Sequence, residues 1–346
     1  MYAILHGGSA RGHRANPAAT LRVEKVFCVS VLLSGLASLI LTCREEKLLD
    51  QHYKVHLQRL LKLHQATPAP VVYFLAGCLP IVAQIHLRIF SLFGQLCRLR
   101  SGHNILANHA TSVLASASSS SKSWFWKLRK LSLQYSLPHP STWLENQPSK
   151  LQVKTLARSA IHEYWRNTLM RKADSLVSLT YMRTGFMSLN KCHPIYTSCG
   201  SSPWEVEKAV TQSRLLSGRY RLESLTGHWT PGNRGGLCTL PDCWGTPLSH
   251  KGGVEAFLLT CPSLSTTRLE LTISTQRFLS DKPQLEEIVR QCVLLSPVQF
   301  WLDCSTMPAV ISAMQSVGES VLVGLFKLTR NYCHRLHVAR NKLIEE

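Results

Sequence analysis

The chain has 346 residues, 45% of them hydrophobic, enough to bury a sizeable core and to divide into two or three domains. Lysine and arginine total 39 against 20 acidic residues, a formal net charge of +19. That field favours polyanions, nucleic acid first and an anionic membrane surface second. Twelve cysteines spread along so long a chain, with no clear signal peptide, argue against a disulfide scaffold and for buried thiols in a reducing compartment, nuclear or cytoplasmic.

Residues 1–25 read as a disordered leader, rich in Gly, Ala and Arg and without an apolar period. The run "VFCVSVLLSGLASLILTC" (26–43) carries no charge. It is at the lower edge of a membrane-spanning length, but Gly35 sits mid-run and no Trp or Tyr belt flanks it. A signal-anchor and a buried core piece are therefore both open readings. Leu49, Tyr53, His56, Leu60 and Leu63 recur at helical spacing, which predicts an amphipathic helix over 45–64. "TPAP" (67–70) breaks the chain, and a helix follows with Ile81, Ile85, Ile89, Leu92 and Leu96 on one face.

The serine-rich stretch 116–123 is a joint or a cap before "WFWKLRKLSLQY". There Trp124, Leu128, Leu131 and Tyr135 share a face whose spacing suits a core, with Lys127, Arg129 and Lys130 on the other faces. Residues 150–172 form a further basic helix. In "SSPWEVEKAVTQSRLLSGRY", Ser202 is an N-cap, Pro203 the first helical residue, Glu205 the partner in a capping box, and Gly218 a stop. The tail from about 319 is a final basic helix. With few alternating stretches and no internal repeat, the fold class is mainly α.

Five isolated aspartates offer no adjacent pair for two-metal chemistry, and no phosphate loop, nucleophile elbow or HExxH motif occurs. No catalytic constellation is assembled, so an enzyme is not expected. The cysteine-rich stretch "LCTLPDCWGTPLSHKGGVEAFLLTCPSL" (237–264) is the exception to this chemical silence. Cys238, Cys243, His250 and Cys261 can supply a Cys3His set to Zn2+. Spacing alone leaves the alternative open: three unmetallated cysteines in a Gly-rich loop leading into the helix "VEAFLLTC".

Several blocks in order carry a resemblance: "VVYFLAGCLP", "HLRIFSLFGQLCRL", "SSSKSWFWKLRKLSLQYSLPHP", "GFMSLNKCHPIYTSCGSSPWEV", "AVTQSRLLSGRYRLESLTGHW" and "LFKLTR". Over roughly residues 30–335 the chain resembles the region downstream of the polymerase core in LINE-type non-LTR retrotransposon reverse transcriptases. The resemblance implies a helical thumb-like region (26–115), a basic helical region (116–230), a cysteine-rich knuckle (231–268) and a C-terminal helical tail (269–346). It also implies a non-catalytic remnant lacking palm and endonuclease, with RNA or DNA as partner and a full-length element protein as a second partner.

Lys127, Arg129, Lys130, Arg158, Arg166, Arg214, Arg219 and Arg221 are then the expected phosphate contacts. Relatives carry a Glu-His pair before the last cysteine, where this chain has Glu255 and Ala256. The resemblance thus implies a zinc knuckle that has lost a donor, rescued by His250 only if the loop folds back. Two competing expectations remain: a membrane-anchored protein using 26–43, and a truncated fragment without a function of its own.

Overall fold

The computed structural model describes residues 16–98, 105, 108–109, 112, 123–146, 148–223, 236–243, 250–316 and 319–345. Among them the backbone is overwhelmingly helical, and the only β pairing is an isolated antiparallel bridge, Leu237 to Lys251. The short helix α1 (Pro17–Val23) widens into a π-helical turn at Glu24–Cys28 and closes with α2 (Val29–Leu32). The first half then follows as α3 (Cys43–Leu60), α4 (Ala69–Ala76), α5 (Ile81–Arg98), α6 (Trp124–Gln134), α7 (Pro140–Asn146) and α8 (Lys150–Asp174). The second half holds α9 (Pro194–Thr197), α10 (Pro203–Leu216), α11 (Ser265–Ser280), α12 (Pro283–Leu295), α13 (Pro297–Asp303), α14 (Pro308–Ser316) and α15 (Glu319–Glu345).

Local chemistry sets the boundaries. Seven of these helices begin on proline, whose missing N–H would be unsatisfied there anyway. Thr42 and Glu45 form a capping box on α3, as do Ser149 and Gln152 on α8. Ser123, the described end of the serine-rich stretch, caps α6; residues 116–122 lie outside the described set. On α10 the expected start at Pro203 and the Ser202 cap are both present, and Gly218 takes the left-handed conformation just past the end. Glu205 does not close the box, because its carboxylate pairs with Lys208 at 2.8 Å.

The expected leader reaches into ordered structure: Asn16 caps α1, and Leu21 is buried. Residues 1–15 lie outside the described set. The apolar run 26–43 is not one helix. It passes through the π turn, α2, a left-handed Gly35 and a 3-10 turn at Leu36–Ser38, leaving Val26, Phe27, Val31 and Ile40 exposed. Among the described residues no single helix is long and apolar enough to cross a membrane, and only the α4–α5 pair passes together, bent by 60°.

One apolar cluster extends from Ala18 to Leu336 and so joins all the regions expected from sequence. A smaller cluster is confined to the C-terminal helices, from Leu279 to Phe326. α5 is the spine of the first half, with α3, α6, α7 and α8 against it. α8 packs tightly on it at Gly94, where an added Cβ would meet Val153 Cγ1 at 2.8 Å. Asp50 on α3 accepts hydrogen bonds from Tyr73 of α4 and from the Ile81 N–H that opens α5, so one carboxylate ties three helices. Phe90, Phe93 and Trp143 pack ring to ring beneath α7, and each phenylalanine side chain buried there contributes roughly 1.5–3 kcal/mol.

α15 is the spine of the second half, packing on α10, α11 and α13. Its Arg330 is fully buried and donates to the carbonyls of Ile195 and Ser198. That arginine ends the "LFKLTR" block as a clasp on α9.

Candidate metal centre and basic groove

Residues 236–238 and 250–252 lie antiparallel to one another. Cys238 N–H donates to the His250 carbonyl and Gly252 N–H to the Gly236 carbonyl, each at 2.9 Å. Gly252 is required here, since a Cβ would lie 2.6 Å from Glu223 Oε2. Cys243 sits in a turn closed by its own N–H to Leu240. Cys261 follows a second π-helical turn (Ala256–Thr260), closed by the Cys261 N–H onto the Ala256 carbonyl at 2.8 Å. The expected helix "VEAFLLTC" is present, α-helical at 254–255 and widened to a π-helix over Ala256–Thr260 that ends at Cys261.

These turns bring Cys238, Cys243, His250 and Cys261 together, with one donor atom from each and all four within 4.8 Å of one another. The residues form a site that can hold a metal ion. Cys261 Sγ lies 3.9 Å from Cys238 Sγ and 3.6 Å from Cys243 Sγ. A tetrahedral ion with metal–sulfur bonds of about 2.3 Å has a sulfur–sulfur edge of about 3.8 Å, whereas a disulfide needs about 2.05 Å. His250 Nδ1 donates to the Lys251 carbonyl at 3.0 Å, which leaves Nε2 as the lone-pair nitrogen; Nε2 is buried and has no hydrogen-bond partner. Anchoring one ring nitrogen on a carbonyl is how proteins orient a histidine ligand. The donor that sequence placed in doubt is present, and it comes from the loop at 250, not from position 256.

The surroundings suit an ion. The three sulfurs are buried, and Leu240, Phe257 and Leu264 wall the pocket. The Cys238 thiol donates to Cys261, which pushes Cys238 up and holds Cys261 below the usual thiol range. Arg268 donates to the Cys261 carbonyl; burial lowers its pKa, while the charges of Cys261 and Cys243 pull it back up. Three thiolates around a divalent ion leave one net negative charge, which Arg268 offsets.

Beyond this centre lies a basic groove of about 910 Å³ between the end of α10 and the last turns of α15. Arg214, Arg219 and Arg221, expected from sequence, line it together with Arg340, His64 and His337. None of its described lining residues is a carboxylate. Tyr220 and His337 share a hydrogen bond at 2.7 Å, and burial lowers the His337 pKa, opposed by the charge of Glu207 and reinforced by those of Arg340 and Arg214. Arg340 pairs with Glu223 at 2.7 Å. Sequence reading missed Arg340, His337 and His64; the basic character of the tail was the only signal for the first two, and His64 follows the 45–64 helical pattern far from them in sequence.

The other expected phosphate contacts are placed elsewhere. Lys127 is a structural residue: it pairs with Glu46 at 2.6 Å and donates to the Leu41 carbonyl. Arg129 and Lys130 lie over the Trp126 ring. Arg166 donates to the Gly185 carbonyl, and Arg158 lines a separate cleft on α8.

A serine, a histidine and an aspartate also meet inside the second half. Ser305 Oγ donates to Asp303 Oδ1 at 2.6 Å, and His193 Nε2 faces Asp303 Oδ2 at 3.2 Å. His193 Nδ1 accepts from the Ile195 N–H. The imidazole therefore presents its N–H to the carboxylate, and the serine proton goes to the same carboxylate. Ser305 Oγ also lies 3.4 Å from His193 Nε2, but with both protons directed at the carboxylate the set is a clamp between α9 and α13 and not a serine donating to its base.

Comparison of the chain with protein-family models, with curated proteins and with solved structures finds no match.

Proposed function

We propose that this chain is a non-catalytic, nucleic-acid-binding remnant of a LINE-type reverse transcriptase. In this reading Arg214, Arg219 and Arg221 grip phosphates, and a structural zinc ion on Cys238, Cys243, His250 and Cys261 fastens the wall behind them. The observation that carries it is the convergence of those three exposed arginines on one groove, with no carboxylate among its described lining residues, adjoining the four-donor cluster through the Arg340–Glu223 pair. Zinc is favoured over harder cations because thiolate and imidazole donors suit it.

The test is fluorescence anisotropy of labelled single-stranded RNA, single-stranded DNA and duplex DNA across a salt series. Affinity should fall steeply with salt, and the Arg214→Ala/Arg219→Ala/Arg221→Ala variant should lower the slope on single strands by about 2, at roughly 0.7 per phosphate contact. Binding that ignores salt, or that the triple variant leaves unchanged, overturns the reading.

A second reading, a fragment without a function of its own, is favoured by the exposed apolar residues Val26, Phe27, Val31, Leu32, Leu39 and Ile40. It predicts concentration-dependent association and no cooperative melt. A monodisperse monomer with a sharp transition excludes it.

A further inference from the structure

A second basic cavity, of about 420 Å³, lies between α5 and α8 beside their crossing at Gly94, and neither the metal centre nor the arginine groove uses it. Its floor is apolar, with Leu87 from α5, Val153 from α8 and Leu189 from the loop that follows. Around the rim stand Lys25, Arg88, Lys154 and Arg158, with His162 beside them and no carboxylate among the lining residues.

Lys154, Arg158 and His162 follow one another at four-residue steps, so they share a face of α8. Like charges at that spacing weaken a helix, and no acidic partner relieves them. Among the described residues, Arg88, Lys154 and Arg158 enter no ion pair and no side-chain hydrogen bond, while Lys25 is held in place by the Gly77 carbonyl at 2.8 Å. Burial and then the charge of Arg158 lower the pKa of His162, in keeping with a positive field.

The chemistry that fits is one compact multivalent anion joined to a body that can lie on apolar surface. Three exposed cations grouped around one small open cleft suit a single compact group, and a phosphomonoester concentrates about −1.5 to −2 charges in one group at pH 7. We propose that this cleft binds a phosphomonoester of mononucleotide size, its phosphate on Arg88, Lys154 and Arg158 and its ring on the apolar floor. The phosphate belongs either to a free mononucleotide or to the 5′ end of a nucleic-acid strand.

Calorimetric titration of the full chain with adenosine 5′-monophosphate and with adenosine tests the cleft. The nucleotide should bind and adenosine should bind far more weakly. Arg88→Ala and Arg158→Ala should each weaken the nucleotide about tenfold, as expected for losing a hydrogen bond to a charged group. Arg214→Ala should leave it unchanged, which separates this cleft from the arginine groove.

A 5′-phosphorylated oligonucleotide is compared with its 5′-hydroxyl form. Tighter binding of the phosphorylated strand, lost in Arg158→Ala, assigns the ligand to strand ends. Equal binding of the two strands, with the mononucleotide still bound, assigns it to the free compound. If either variant fails to melt cooperatively, the His162 ring resonances of the unaltered protein supply the readout, and they should move with adenosine 5′-monophosphate and not with adenosine. Absence of nucleotide binding, equal binding of adenosine, or unchanged affinity in a folded Arg88→Ala/Arg158→Ala variant overturns the proposal.

Discussion

Replacing His250 with alanine removes one donor of four and leaves the three buried sulfurs where they are. The sulfur–sulfur distances of 3.6 and 3.9 Å already bracket the tetrahedral edge, so the ion should enter with little rearrangement and the histidine should matter mainly as a ligand. Removing only an outer partner of a metal ligand lowers affinity by about 10–100-fold. Losing the ligand itself should exceed about 100-fold, or about 2.7 kcal/mol. In the zinc-loaded protein, that difference corresponds to a melting temperature lower by roughly 5 °C. The assay is zinc per chain by elemental analysis, affinity by competition with a chromophoric chelator, and melting with and without chelator. His52→Ala, at an exposed histidine far along the sequence, is the control. Unchanged zinc affinity in His250→Ala would refute the ligand assignment. A wild-type protein that takes up no zinc while its three thiols react freely would refute the site.

Three further outcomes follow from the packing. Burial pushes the Asp303 carboxyl up, but His193 and Ser305 more than offset this and hold it below its ordinary value. Its contribution to stability is full above the unfolded value near about 3.9 and is lost as pH falls through the lower folded one, so Asp303→Asn should flatten melting temperature against pH below about pH 4; an unchanged profile counts against the clamp. His334 is held at about 4 by burial and by neighbouring His337, below the unfolded value of about 6.5. The unfolded chain takes up that proton first, so the urea midpoint should drop from about pH 6.5 toward pH 4, and less so in His334→Gln. Gly252→Ala forces its Cβ onto Glu223, and thermal melting should show a loss of about 1–3 kcal/mol; wild-type stability would mean that the Gly236–Gly252 pairing is not tight.

Helix positions were legible wherever local chemistry sets them. Proline starts, serine and threonine caps and the 3.6-residue spacing of Ile81, Ile85 and Ile89 act within a single turn, and the helices from Pro203 and Lys150 begin where those signals stand. The apolar run 26–43 was harder, because hydrophobicity carries no direct record of a π turn or of a left-handed Gly35, and these divide the run into short pieces. The metal donors were legible as residue types at plausible spacing. Their convergence was not, since it depends on the antiparallel pairing of 236–238 with 250–252, too short to leave an alternating pattern. Charge was the least reliable guide. Lys127 and Arg214 look alike in sequence, yet Glu46 meets the first across 81 residues and no carboxylate lines the groove of the second. Long-range partners of this kind leave no local trace.

The four-donor cluster and the arginine groove are mechanically one unit. Glu223 Oε1 accepts from Thr239 Oγ1 at 3.1 Å, next in sequence to Cys238, and from Arg340 at 2.7 Å, on the wall of the groove. Phe257, which walls the cluster, packs against Tyr220 at 5.3 Å, and Tyr220 in turn holds His337 of α15. Fixing Cys238, His250 and Cys261 therefore fixes Thr239, Gly252 and Phe257, and through them the side chains that position Arg340 and His337. An ion ligated by four protein donors has no open coordination position for a substrate. Its contribution would be to hold the backbone, and the nearest consequence of that hold is the shape of the basic groove.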